Sequence, residues 1–304
     1  MRCVGGCHCE ASPDRASYPP PSARVLAAAS TDGQALGWML DGLDVPRSLS
    51  SVALKLNLCE YRMADSGATT SPAFVGDLVG ALRARAPSLE RIVLLEQDSS
   101  GTRAMDLYAL LGFSDLAERA GLELFDPAGS EWRDVARIGE LPVAVPELVF
   151  DVDLFVNVPK LKFHGKTAFT GALKNNFGLL RKKWKLPYHD RLCETIVASN
   201  VHLPRQLVIM DGTVSLSGRG PAYGVPSRTS VVLGSWDPVA ADTAGAKLLG
   251  LPRFVVPHLG MARAAGLGSD EPVVTWRDGR PRGADLPRFD WARYVAANVL
   301  RRGA

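Results

Sequence analysis

Lys160, Lys162 and His164 recur at every second position of the run Val156-Asn-Val-Pro-Lys-Leu-Lys-Phe-His164. If the chain stays extended past Pro159, all three side chains project to the same side of a strand. Two ammonium groups and an imidazole on one face repel each other unless an anion or carboxylates neutralise them, so the segment reads as an anion-binding edge. A solvated positive rim is the plainer alternative. Lys174 and Asn175 follow within a few helical turns and add donors. In the earlier run Val52-Ala-Leu-Lys-Leu-Asn-Leu58, alternation puts Leu54, Leu56 and Leu58 on one face and Lys55 and Asn57 on the other.

This set suggests a division of labour. Lys55, Lys160 and Lys174 would hold an anion, with Asn57 and Asn175 orienting it. Lys162 and His164 would transfer a proton, since a lysine flanked by cations has a depressed pKa and histidine titrates near neutrality. Glu96 and Asp98 follow the run Ile92-Val-Leu-Leu95, and Asp211 follows Leu207-Val-Ile-Met210. These carboxylates would balance the lysines or, with Glu96, Asp211 and His164 as ligands, hold a divalent metal. Asp98-Ser-Ser-Gly101 and Asp211-Gly212 are also ordinary turn signals. Asp237 before Pro238 reads as a helix cap, and Asp242 as a further carboxylate near the same helix start.

The elements that must position these groups are short aliphatic runs alternating with longer amphipathic stretches. Strands are expected at Val25 to Ala29, Val52 to Leu58, Arg91 to Glu96, Leu122 to Phe125, Leu148 to Val158, Gln206 to Asp211 and Ser230 to Gly234. Thr70-Ser71-Pro72 and Asp237-Pro238 start helices with a cap and a proline in the first turn. Further helices are expected from Lys166 to Leu180 and from Trp291 to about Leu300. The pattern implies an α/β fold, a mostly parallel sheet covered by helices, with a long Gly/Pro loop elaboration around Gly218, Gly220, Pro221, Gly224 and Pro226. In such sheets ligands bind beyond the carboxyl ends of the strands, where most of the candidate residues fall.

Bulk properties narrow the class without naming it. The chain has 304 residues, 46% of them hydrophobic, and 35 basic against 32 acidic residues. A net charge of +3 is far from that of a dedicated nucleic-acid binder, so Arg181-Lys-Lys-Trp-Lys185 reads as a solvated patch and nucleic acid is not an expected partner. Five cysteines at uneven spacing do not make a disulfide scaffold. Cys3, Cys7 and Cys9, with His8 between them, match neither zinc-ribbon nor ferredoxin spacing. Cys59 could be a thiol activated by lysines, and His189 an imidazole held by Asp190. Without an apolar stretch of membrane-spanning length or a secretion signal, a cytoplasmic protein and no membrane partner are expected. Residues 1–23 read as a flexible leader before a single domain over 24–304. Dinucleotide, phosphate-loop, zincin and hydrolase-elbow motifs are missing from the sequence.

The motifs in combination resemble the family called domain of unknown function 362. They are Leu54-Lys-Leu-Asn-Leu58, Thr69-Thr-Ser-Pro72, Val156 to His164, Thr170-Gly-Ala-Leu-Lys-Asn-Asn-Phe-Gly178, Asp211-Gly212, Gly218-Arg-Gly-Pro221 and Ser235-Trp-Asp-Pro-Val-Ala-Ala-Asp242, spanning residues 52 to about 250. Leu56 stands where the family usually has proline. The resemblance implies an α/β architecture similar to that of lactate racemase-like proteins, a likeness of fold that transfers no reaction. Some members resemble redox proteins through an appended ferredoxin-type module, which implies that a redox partner would here be external. The function expected is an enzyme acting on a small carboxylate or phosphate by proton transfer, such as isomerisation or elimination, metal-assisted or not. The alternative is an accessory protein that binds a cofactor or anionic ligand for a partner enzyme.

Overall fold

The computed structural model describes residues 22–58, 60–99, 101–181, 185–218 and 220–280. Expectations for the leader, its cysteines and His8, Cys59, Lys182 to Trp184 and the Trp291 helix lie outside those residues. In chain order the strands are β1 Arg24–Ala28, β2 Ser51–Lys55, β3 Arg91–Leu95, β4 Glu123–Leu124, β5 Trp132–Ile138, β6 Leu141–Pro146, β7 Leu154–Asn157, β8 Lys160–His164, β9 Ala168–Thr170, β10 Gln206–Ser217, β11 Val225–Ser235 and β12 Val273–Trp276. The helices are α1 Gly33–Gly42, α2 Pro72–Arg85, α3 Ala104–Leu110, α4 Phe113–Ala120, α5 Leu148–Asp151, α6 Ala172–Asn176, α7 Leu192–Val201, α8 Pro238–Leu248 and α9 Pro257–Ala264.

The main sheet runs β12-β1-β11-β10-β7-β2-β3-β4, with β8 paired to β10 and β9. Pairing is parallel from β10 through β7, β2 and β3 to β4, and antiparallel where β11 joins β10 and β1. The fold is therefore α/β with a mostly parallel sheet. Alternation along the strands divides the interior: Leu54, Val156 and Ile209 belong to the core beneath α1 and α2, while Ala53, Phe155 and Val208 serve the cores on the other face.

Three expectations change. The apolar run Leu148 to Val158 is a turn of helix, α5, followed by β7, because Asp153 between them accepts hydrogen bonds from the backbone and hydroxyls of Ser50 and Ser51 and fixes where the strand begins. The stretch Lys166 to Leu180 is not one helix: β9 pairs with β8, α6 follows, and Phe177–Leu179 form a 3₁₀ turn. The Gly/Pro segment is mostly hairpin. β10 continues to Ser217 and β11 begins at Val225, with Pro226 opposite Leu216 near the strand start, where proline is tolerated. The β5–β6 ribbon and β12 carried no expectation.

Candidate functional site

The segment from Lys160 to His164 is extended, as its spacing requires, and forms β8 with every side chain buried. Lys160 and Lys162 are 0% exposed. Burial at this depth demands partners, since an isolated ammonium in a low dielectric costs many kcal/mol. Lys160 Nζ donates to Asp211 Oδ2 at 2.9 Å and to Thr213 Oγ1 at 3.1 Å. Asp211 lies inside β10 rather than at its end, opposite Lys160 in register, and also accepts from the backbone N–H of Ser71 at the start of α2. Burial pushes the Lys160 pKa down and Asp211 opposes the shift. Lys162 Nζ donates to the carbonyl of Ala68 in the loop that leads into α2. Both lysines thus clamp β8 to that loop.

Lys55 sits on the opposite face of the sheet, sharing it with Ala53. Its Nζ donates to Glu96 Oε1 at 2.7 Å and to its neighbour's carbonyl at Leu56. The other oxygen of Glu96 accepts the backbone N–H of Leu58, so one carboxylate joins the ends of β2 and β3. Against this pair lies Gly178, where a Cβ would stand 3.2 Å from Lys55 Nζ and 3.7 Å from Glu96 Oε1. Gly178 is thus the place where the turn after α6 approaches the ion pair. Its carbonyl accepts a hydrogen bond from Lys185 Nζ at 3.0 Å.

Lys185 is the residue sequence reasoning passed over. It closed a basic run that looked like a solvated face, and no local signal turns it inward. Burial lowers its pKa to about 7, with Lys55 and Lys174 adding repulsion and Glu96 and Asp98 opposing it. Three ammonium side chains, Lys55, Lys174 and Lys185, and the two carboxylates therefore share one neighbourhood at the carboxyl ends of β2 and β3. Asp98 also accepts the N–H of Ala104 and starts α3.

Asn57 and Asn175, expected to orient a substrate, bond each other: Asn57 Nδ2 donates to Asn175 Oδ1 at 2.8 Å. Asn175 Nδ2 in turn donates to Asn157 Oδ1, and Asn157 reaches Asn176 and Gln206. This amide chain fastens α6 to the strand ends. Asn57 Oδ1 is buried and has no hydrogen-bond partner among the described residues.

The role expected of His164 changes with its hydrogen bonds. Its Nδ1 accepts from the backbone N–H groups of Lys166 and Thr167, each at 3.2 Å. The neutral ring must then carry its proton on Nε2, which makes it a donor with no lone pair left for a base. Its pKa is held well below 6.5 by burial first, then by Lys174, Lys162, His258 and His189. His258, on α9, drew no notice in the sequence, although its flanks Val255-Val-Pro and Leu259 are those of a buried residue. It is fully buried, and neither ring nitrogen has a partner among the described residues. His189 does not turn to Asp190. Its Nδ1 lies 3.4 Å from Lys166 Nζ and its ring stacks on Phe177 at 6.1 Å.

The metal expectation fails on geometry. Glu96 faces Lys55 on one side of the sheet and Asp211 faces Lys160 on the other. Among the described residues no three His, Cys, Asp or Glu side chains gather as a metal site. The carboxylates balance charge instead. Asp237 caps α8, accepting the N–H of Ala240 at 2.8 Å. Asp242 accepts the N–H groups of Ala172 and Leu173 and thereby starts α6. Two surface clefts, of about 340 and 450 Å³, are lined by Arg91 and Glu147 and by Thr243 and Asp270 respectively, and neither is lined by Lys55, Lys160, Lys162, Lys174 or Lys185.

The chain is 29% identical over 139 residues to the thylakoid-associated protein sll1697 of Synechocystis sp.. That match takes in 43% of this chain and 43% of the relative, so less than half the relative's length is spanned. Among solved structures, the lactate racemase apoprotein from Thermoanaerobacterium thermosaccharolyticum matches with a TM-score of 0.37 at 12% identity, over 76% of this chain and 59% of that one. The family model described as domain of unknown function (DUF362) matches residues 52–247, a stretch that holds Lys55, Glu96, the β8 lysines, Lys174 and Lys185, and the chain belongs to that family.

Proposed function

We propose that the protein is an enzyme that moves a proton on a small anionic substrate, a carboxylate or phosphate compound, beside the ends of β2 and β3. The observation that carries this reading is the approach of Lys55 and Lys185 to Gly178 beside Glu96, with Lys174 close enough to add repulsion to Lys185. With Lys185 protonated, the three cations outnumber the two carboxylates, which favours an anion; with Lys185 neutral, as a base requires, the charges balance. Lys55 is fixed by Glu96 and supplies field, while Lys174 sits on the half-exposed flank of α6. Lys185 is the base, because an amine with a pKa of about 7 exists in both protonation states at neutral pH. Lys160 and Lys162 hold the scaffold. The reading includes a cytoplasmic location; no helix among the described residues is long and apolar enough to cross a membrane.

Deuterium exchange tests it. The purified protein is incubated in D₂O with a panel of small hydroxy, oxo and dicarboxylic acids and their phosphate esters, and proton NMR follows each C–H next to the anionic group. One compound should lose that signal, and Lys185→Met should slow the loss at least about 100-fold, the usual scale of general-base catalysis. No exchange with any compound, or the same rate in the variant, overturns the proposal. Binding without exchange would favour the accessory role for a partner enzyme.

A further inference from the structure

Away from the lysine neighbourhood, the larger cleft, of about 450 Å³, is walled by α8, α9 and the segments 251–253 and 270–272. That volume suits a small molecule. Its lining joins apolar surface to charge of both signs. Ala246, Leu251 and Leu259 supply the apolar part. Lys247 and Glu271, both exposed, line the same cleft without pairing with each other or with another described side chain. Asp270 is different, because Arg253 Nη1 donates to its Oδ2 at 3.0 Å and Arg263 Nε lies 3.3 Å from the same oxygen. A guanidinium carries five N–H donors, so Arg253 keeps donors beyond that carboxylate. Thr243 is 6% exposed, and its hydroxyl has no hydrogen-bond partner among the described residues. An unmet buried hydroxyl costs about 1–3 kcal/mol, which a ligand group that reached it would recover.

The charges choose between classes of ligand. A simple anion drawn to Lys247 and Arg253 would meet Glu271, and a simple cation drawn to Glu271 would meet Lys247 and Arg253. Each would bring like charges together. A molecule that carries both charges avoids that conflict, and an apolar body on it would cover Leu251 and Leu259.

We propose that this cleft binds a free α-amino acid with an aliphatic side chain. Its carboxylate lies toward Lys247 and Arg253, its ammonium toward Glu271 and its side chain against Leu251 and Leu259, with Thr243, one turn before Lys247 on α8, as a further donor. The site shares no side chain with the proton-transfer neighbourhood and does not depend on that reading.

The test uses the whole chain with leucine and alanine methyl groups labelled by ¹³C. L-Leucine is titrated beside three partial molecules: isocaproate, which lacks the ammonium, isoamylamine, which lacks the carboxylate, and glycine, which lacks the apolar body. Leucine should move the methyl signals of Leu251, Leu259 and Ala246. Each partial molecule should need at least about tenfold more, which corresponds to about 1.4 kcal/mol. Lys247→Gln and Glu271→Gln alter exposed positions and should fold as before. Each should raise the apparent Kd for leucine at least about tenfold, while Glu271→Gln leaves isocaproate binding no weaker and Lys247→Gln leaves isoamylamine binding no weaker. Unmoved Leu251 and Leu259 signals at the solubility limit of leucine overturn the proposal. So does isocaproate or isoamylamine acting as readily as leucine, or unchanged leucine affinity in both folded variants.

Discussion

At the scale of single residues, two lowered pKa values make stability rise with pH in two separate windows. Lys185 titrates near 7 in the folded protein against 10.5 ordinarily, so the unfolded chain binds its proton more tightly. Its destabilising effect is full below about 7 and fades as pH climbs from 7 toward 10.5. Lys185→Met should remove that rise in stability, as read by urea unfolding at several pH values. His258 acts with the same sign at lower pH. Burial, then Lys174, holds its pKa at about 3, so stability present above 6.5 is lost as pH falls toward 3. His258→Leu should flatten that acid limb and leave the protein as stable as before, or more so, at neutral pH. An acid limb as steep in His258→Leu as in the unaltered protein would contradict the assignment. The sequence named His164 for proton transfer from its type alone; which lone pair is free depends on Lys166 and Thr167 backbone groups that only a turn after β8 presents.

At the scale of elements, α6 has a start that its own sequence does not supply. No side chain within the helix caps it, and the carboxylate that does belongs to Asp242, 70 positions away. Burial raises the Asp242 pKa to about 7, with the N–H groups of Leu173 and Ala172 opposing. The approach explains Gly171, where a Cβ would come 2.1 Å from Asp242 Oδ1 and 2.4 Å from the Phe169 ring. Gly171→Ala should cost about 3 kcal/mol or more, as overpacking in a tight core does. Asp242→Ala, which strands two buried N–H groups, should cost about 2–5 kcal/mol in the same unfolding assay. Both should also loosen Lys174 and Asn175, which ride on α6. An expected helix from Lys166 to Leu180 was reasonable from composition. It missed because the strand pairing of β9 with β8 and a cap from α8 override local propensity.

At the scale of the whole molecule, the lysines do not share one hollow. Lys160 pairs with Asp211 on the face beneath α2, and Lys55 pairs with Glu96 on the face beneath the turn at Gly178. Breaking either pair leaves a buried charge, so Glu96→Gln and Asp211→Asn should each cost about 3–5 kcal/mol. The double change Lys160→Met with Asp211→Leu should recover part of the loss caused by Asp211→Asn, because it removes the unpaired buried charge while leaving the Ser71 and Thr213 N–H groups without their acceptor. Recovery in urea unfolding would mark that pair as scaffold, and continued exchange activity in the folded double variant would place it outside the catalytic neighbourhood.

The residues by themselves determined the α/β class, most strand positions, the caps at Ser71 and Asp237, the extended Lys160 to His164 segment and the family, because alternation, proline placement and contiguous motifs are local properties. Tertiary structure decided which carboxylate met which lysine, that Asp211 and Glu96 balance charge on opposite faces instead of sharing a metal, that Lys185 reaches the carbonyl of Gly178 and that His258 is fully buried. Those outcomes depend on sheet order and on contacts between distant segments, and a side chain's charge and period carry no record of the neighbours that folding will give it.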